Sequence, residues 1–144
     1  MLAKHVMVAT DGSAGAGRAV DAAAEYAKAT GASLLIVTFA GNFSAKELAD
    51  LARAEGDVGE AIELLANTIL REAKERAERI GAANIRTWTG WGDAAQGIVD
   101  AVSREKVDIV VVGRRGRGQL AGLILGSVSQ KVASLAPCAV VVVP

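Results

Sequence analysis

The chain has 144 residues, of which 51% are hydrophobic and 3% aromatic, and its 16 basic and 16 acidic side chains leave a formal charge of zero. That length suits one domain, residues 1–144, with a single core built by aliphatic packing. Balanced charge excludes a protein that works by coating nucleic acid or an anionic membrane through bulk positive charge, and the apolar content excludes a disordered chain.

Residues 5–13, HVMVATDGS, read as a first strand that runs into a Gly/Asp turn. Residues 14–30, AGAGRAVDAAAEYAKAT, form an alanine-rich helical pattern with Gly31 placed to stop it. The second strand is SLLIVTFA, residues 33–40. A longer helix is expected to begin near Ser44, to loosen at EGDVGE, residues 55–60, and to continue with Val58, Ile62, Leu65, Ile69, Ala73, Ala77 and Ile80 at helical spacing until Gly81 closes it. The third strand, NIRTWTGWG at residues 84–92, alternates in polarity. Ala95, Ile98, Val99 and Val102 mark the helix after Asp93, with REK in its last turns. VDIVVVG, residues 107–113, is the fourth strand; a fourth helix opens at Ser127 and ends before Pro137, and CAVVVV, residues 138–143, is the fifth strand.

Strands two, four and five are nearly continuous apolar runs, as expected of parallel strands covered by helices on both faces. Strand and helix alternate to the end, which predicts an α/β domain: an open parallel sheet reached by right-handed crossovers. One cysteine, Cys138, and one histidine, His5, leave neither an internal disulfide nor a Cys/His zinc site, and Cys138 is expected to be a small buried residue. No window reaches the ~18 uninterrupted apolar residues of a membrane span and no signal-peptide pattern opens the chain, so a soluble cytoplasmic protein is expected.

Ligands of open parallel sheets sit beyond the carboxyl ends of the strands. Two loops there carry chemistry. After strand one, Asp11, Gly12 and Ser13 either build a turn and a helix cap or place Asp11 at the rim of a crevice. After strand four, Gly113, Gly116, Gly126 and Ser127 fit the spacing G-x2-G-x9-G-S/T. Glycines let backbone approach a bulky anion and turn N–H groups toward it, and a helix N-terminus adds unpaired donors and a favourable dipole. Phosphate is the natural guest. Ser127 and Gln130 also fit S-x-x-Q, a capping-box pattern that would make Ser127 its own helix's cap. No Asp or Glu follows Asp108, whereas Arg114, Arg115, Arg117 and Lys131 do, so this is the one electropositive region.

Three other chemistries are disfavoured. GRGQLA, residues 116–121, fits a loose dinucleotide fingerprint but lacks the acidic residue ~20 positions on that would hold ribose. No G-x4-G-K-S/T is present, so a P-loop lysine is missing. His5 begins the strand whose far end carries Ser13, which rules out a serine hydrolase pair.

The stretches VATDGS, GWGDAAQGIVDAV, VDIVVVGRRGRG, GLILGSVSQKV and APCAVVVV make the chain resemble the universal stress protein family over essentially its whole length. The resemblance implies a Rossmann-like sheet of order 3-2-1-4-5, of the adenine nucleotide alpha hydrolase-like type, and the ATP-binding branch that keeps the glycine motif. It implies contacts to the base and ribose from Ala9, Thr10, Asp11, Phe39, Val112 and Gly113, a turn glycine at Gly116, and a phosphate cradle of Gly126, Ser127, Val128 and Ser129. Phe39 stands where an aliphatic residue is common, Thr38 where histidine is common, and Ala94 where proline is common. Magnesium or manganese would ride on the phosphates. The resemblance does not account for Arg114, Arg115 and Arg117; the lack of acids after Asp108 suggests that they attract the phosphates, and the alternative is a basic loop that faces water. The resemblance further implies a homodimer through the last strand, Ala139–Val143, and an unidentified regulatory protein partner. A nucleotide-regulated stress-response protein is the expected function. The alternatives are a slow ATPase or an enzyme that phosphorylates itself at Ser127 or Ser129, and a dimeric scaffold without obligatory nucleotide.

Overall fold

Short runs of β-branched and aliphatic residues form five strands: β1 (His5–Ala9), β2 (Ser33–Phe39), β3 (Ile85–Gly90), β4 (Ile109–Gly113) and β5 (Ala139–Val143). In the computed structural model, which describes residues 3–40, 57–114 and 125–144 together with Lys46, Ala49, Asp50 and Arg53, they make one parallel sheet of order β3-β2-β1-β4-β5. This is the order that the resemblance implies. The strands are connected by helices, among them α1 (Ala14–Thr30), α2 (Val58–Ile80), α3 (Ala94–Arg104) and α4 (Ser127–Leu135).

Helix ends follow the expected chemistry. Gly31 and Gly81 stop α1 and α2 in the left-handed region, at φ 74° and 114°, where a β-carbon is disfavoured. Asp57, extended at φ −144°, accepts the N–H of Glu60 and starts α2, so the loosening expected at residues 55–60 is a helix start. Upstream of it Lys46, Ala49, Asp50 and Arg53 are helical, while Ser44 lies outside the described residues.

Strand ends are shorter than the sequence suggests, for visible reasons. β3 begins after Asn84, which is left-handed at φ 53°, and ends before Gly92 at φ 85°. β4 begins three residues beyond Lys106, also at φ 53°. β1 stops at Ala9, although the N–H of Thr10 still donates to the Val37 carbonyl at 2.9 Å.

Alternation along the strands divides the core into two layers. Val6, Val8, Leu34, Ile36, Ile109 and Val111 face α1 and α2. Met7, Leu35, Val37, Phe39, Val110 and Val112 face α3 and α4. Each fully buried aliphatic side chain contributes about 1.5–3 kcal/mol, so these two layers supply most of the stability. α1 lies close to the sheet because its inner face is small: Ala16, Ala19, Ala23, Ala24 and Ala27 are all buried. Cys138 is only partly buried, against the α3/α4 layer, and burial raises its thiol pKa. No described helix is long and apolar enough to cross a membrane.

Candidate nucleotide crevice

β1 and β4 are neighbours, yet their helices leave to opposite faces of the sheet, α1 to one and α4 to the other. That divergence makes their carboxyl ends the switch point of the sheet, where α/β sheets bind ligands in a crevice. The loop after β1 is built by its own side chains. Thr10 Oγ1 accepts the Gly12 N–H at 3.2 Å, Asp11 Oδ1 accepts the Ser13 N–H at 2.9 Å, and Ser13 Oγ accepts the Ala16 N–H at 3.3 Å. Gly12, at φ 81°, takes the turn between them. The turn-and-cap reading of this loop holds: Ser13 caps α1, and the partly exposed Asp11 closes the turn through the Ser13 N–H.

On the other side, Gly113 ends β4 against the first turn of α1. A β-carbon there would lie 3.2 Å from the carbonyl carbon and oxygen of Gly15 and 3.4 Å from the nitrogen of Ala16. Glycine is needed at this point for backbone to meet backbone, a role distinct from touching a ligand. The next residue, Arg114, is a junction. Its N–H donates to the Val143 carbonyl at 2.6 Å, and its carbonyl accepts both the Gly126 N–H at 2.8 Å and the Ser129 hydroxyl at 2.7 Å. The start of α4 is thereby pinned to the end of β4. Arg115, Gly116 and Arg117 lie outside the described residues.

The capping-box expectation for Ser127 is corrected. Gly126, extended at φ −75° and ψ 168°, is the N-cap, no side chain caps α4, and Ser127 is its first helical residue, exposed to solvent. The Gln130 N–H donates to the Gly126 carbonyl at 2.9 Å, which sets the helix start one residue earlier than the S-x-x-Q pattern requires. The N–H groups of Ser127, Val128 and Ser129 consequently have no intrahelical acceptor. The two serines weighed as phosphoryl acceptors differ sharply: Ser127 is exposed, whereas Ser129 is 3% exposed with its hydroxyl held by the Arg114 and Gly126 carbonyls.

Several expected site residues turn their side chains into the core. Val112 is buried in the α3/α4 layer, against which Ala9 and Val128 also pack. Phe39 is 4% exposed, its ring edge-on to Trp88 at 5.7 Å between centroids, and it fills the hollow left by two glycines. A β-carbon at Gly90 or Gly97 would stand 2.3 or 2.2 Å from its Cε1. What Phe39 presents at the strand end is main chain; its ring is not a stacking surface. Thr38, facing the other layer, buries an Oγ1 that has no hydrogen-bond partner among the described residues.

A second hollow of about 290 Å³ lies between α1 and α2, lined in part by Thr10, Ser13, Gly17, Ala73 and Arg76. Arg76 spans it, donating to Asp21 through Nε at 2.5 Å and Nη2 at 2.7 Å. No motif signals this pair; its only trace in the sequence is Gly17, over which the guanidinium lies. Lys131 meets Asp93 at 3.5 Å, so one cation of the electropositive region is matched by the N-cap of α3.

The family model that matches is that of the universal stress protein family, over residues 3–144. The chain belongs to the universal stress protein family. A universal stress protein of Mycobacterium tuberculosis is 34% identical over 140 residues, covering 97% of this chain and 95% of the relative. A crystal structure of a universal stress protein in complex with cAMP is 33% identical, with a TM-score of 0.74 over 100% of this chain and 98% of that one. The Archaeoglobus fulgidus universal stress protein, solved in complex with dAMP, has a TM-score of 0.72 at 20% identity over the full length of both chains, a likeness of fold.

Proposed function

We propose that this universal stress protein binds an adenine nucleotide in the crevice above β1 and β4, and that the nucleotide is ATP with magnesium or manganese on its phosphate oxygens. The observation that carries the reading is the start of α4. A helix N-terminus without a side-chain cap is tied to the end of β4, the strand paired with β1, and such a terminus attracts anions through its N–H groups and dipole. In this arrangement Ser127, Val128 and Ser129 offer main-chain donors to phosphate, and Arg114 adds attraction at long range. Asp11 takes a ribose hydroxyl, and the strand-end main chain of Ala9, Thr10, Phe39, Val112 and Gly113 frames the base and sugar. The complex of the 33% identical relative with cAMP supports an adenine ligand. The protein then acts in the cytoplasm as a nucleotide-regulated stress-response switch with a regulatory protein partner. It pairs as a homodimer along β5, whose residues Ala139 and Val141 are exposed.

The test is a comparison of Ser127→Pro with Ser127→Ala. Proline is well tolerated at the first helical position, and the extended Gly126 suits a following proline, so this substitution deletes one N–H donor and little else. A hydrogen bond to a charged group is worth about 1.5–3 kcal/mol, so calorimetry should find ATP bound ~10- to 100-fold more weakly by Ser127→Pro than by Ser127→Ala, with adenosine unaffected. Equal ATP affinity in the two variants would remove α4 from the site.

A further inference from the structure

Of the three buried polar side chains among the described residues, Thr10, Thr38 and Ser129, only Ser129 lies on a helix. Its hydroxyl reaches two carbonyls that belong to different elements: Arg114 at the end of β4, at 2.7 Å, and Gly126 at the N-cap of α4, at 3.1 Å. The Arg114 carbonyl also takes the Gly126 N–H, and the Gly126 carbonyl also takes the Gln130 N–H. Both acceptors are therefore shared, and among the described residues the hydroxyl is the one side-chain group that ties the first turn of α4 to the strand end. At 3% exposure this hydroxyl is largely withdrawn from solvent, and a buried hydroxyl is retained at no cost only when such bonds are made.

We infer that Ser129 is a positioning residue: its hydroxyl fixes the tilt of the first turn of α4 against β4, and so aims the N–H groups of Ser127 and Val128 into the crevice. This deepens the nucleotide reading and rests on it. It also gives Ser129 a role other than direct side-chain contact with phosphate. A free helix start would still attract anions, but donors must converge on one point to grip a phosphate, and a rocking first turn spreads them.

The experiment compares the parent with Ser129→Ala and with Ser129→Thr, which keeps the hydroxyl, after circular dichroism has established that each is folded. Two readouts are taken. Amide hydrogen exchange of Gly126, measured without nucleotide, reports the junction itself; calorimetric titration with ATP and with adenosine reports its effect on phosphate. In Ser129→Ala, Gly126 exchange quickens and the ATP-to-adenosine affinity ratio falls about three- to tenfold, the worth of one net hydrogen bond. Ser129→Thr restores both. Parent-like Gly126 exchange in Ser129→Ala overturns the inference whatever the ligand does. Quickened exchange with an unchanged affinity ratio overturns it too, because the hydroxyl would then hold the helix without aiming it. Should the parent itself bind neither ATP nor adenosine, the nucleotide reading fails, and the aiming role fails with it even where Gly126 exchange responds.

Discussion

Replacing Gly97 with alanine sets two effects of known size against each other. Glycine inside a helix costs about 0.8–1 kcal/mol relative to alanine, so on propensity alone the substitution in α3 should stabilise. The new β-carbon would, however, stand 2.2 Å from Cε1 and 2.8 Å from Cζ of Phe39, against an optimum of about 3.5–4.0 Å between carbons. The ring has little room to retreat: it is 4% exposed, edge-on to Trp88, and the same edge also lies over Gly90. Overpacking of this kind costs about 1–3 kcal/mol, and a shortfall beyond 1 Å belongs in the upper part of that range, which leaves a net loss of about 1–2 kcal/mol. Phe39→Leu removes Cε1 and Cζ. In that background Gly97→Ala should turn into a gain of about 0.5–1 kcal/mol, a coupling of about 2 kcal/mol across the double-mutant cycle. Urea unfolding followed by far-ultraviolet circular dichroism measures all four proteins. The reasoning is refuted if Gly97→Ala stabilises the parent, or costs the same in both backgrounds.

Thr38→Val keeps the shape of a side chain whose hydroxyl is buried without a partner, and should stabilise the protein by about 1 kcal/mol in the same urea assay; a loss of similar size would mean that the hydroxyl is satisfied. Acid should act through two carboxylates that accept main-chain N–H groups, Asp108 and Asp93. The Lys4 and His5 N–H groups hold the Asp108 pKa below the ordinary carboxylate value, and the Gln96 N–H, then Lys131, do the same for Asp93. Because the folded values are lowered, the stabilisation is complete above the unfolded value of about pH 3.9 and fades as pH falls through the folded ones. Asp108→Asn should therefore flatten the loss of stability between pH 5 and pH 2, read as the change in Tm; an acid limb as steep as the parent's would contradict it.

Much of the architecture is legible because local signals agreed with one another. Gly31 and Gly81 end helices in the conformation that only glycine takes easily, and Asp93 begins one through a side-chain bond three residues on, whereas the start at Asp57 lies inside a stretch expected only to loosen. The end of β4 is legible as well, since a buried valine run followed by glycine marks the end of a covered strand. Side-chain direction was harder to read. β2 is apolar on both faces, so its pattern carries no parity, and nothing in SLLIVTFA says that Phe39 turns toward α3 while Thr38 turns toward α1 and α2. The hollow that receives the ring comes from Gly90 and Gly97, on two other elements. Ser127 was misread as a cap for a related reason: S-x-x-Q fits a capping box, but an extended glycine just ahead of it can take the N-cap position. The ion pair of Arg76 and Asp21 joins residues 55 apart in sequence, beyond the reach of any local pattern.

The meeting of Gly113 with Gly15 bears on how ligand preference could change in this fold. Where side chains set the gap between two walls, a substitution can widen or narrow it by choosing another rotamer. Here the gap is set by peptide groups in contact, which have no rotamers to exchange. The spacing of the β4 end from α1 is thus a property of the main chain, and side-chain variation around it leaves these two elements where they are. Redesign for a larger guest would have to relocate α1 as a whole, with its row of buried alanines, instead of trimming any single residue.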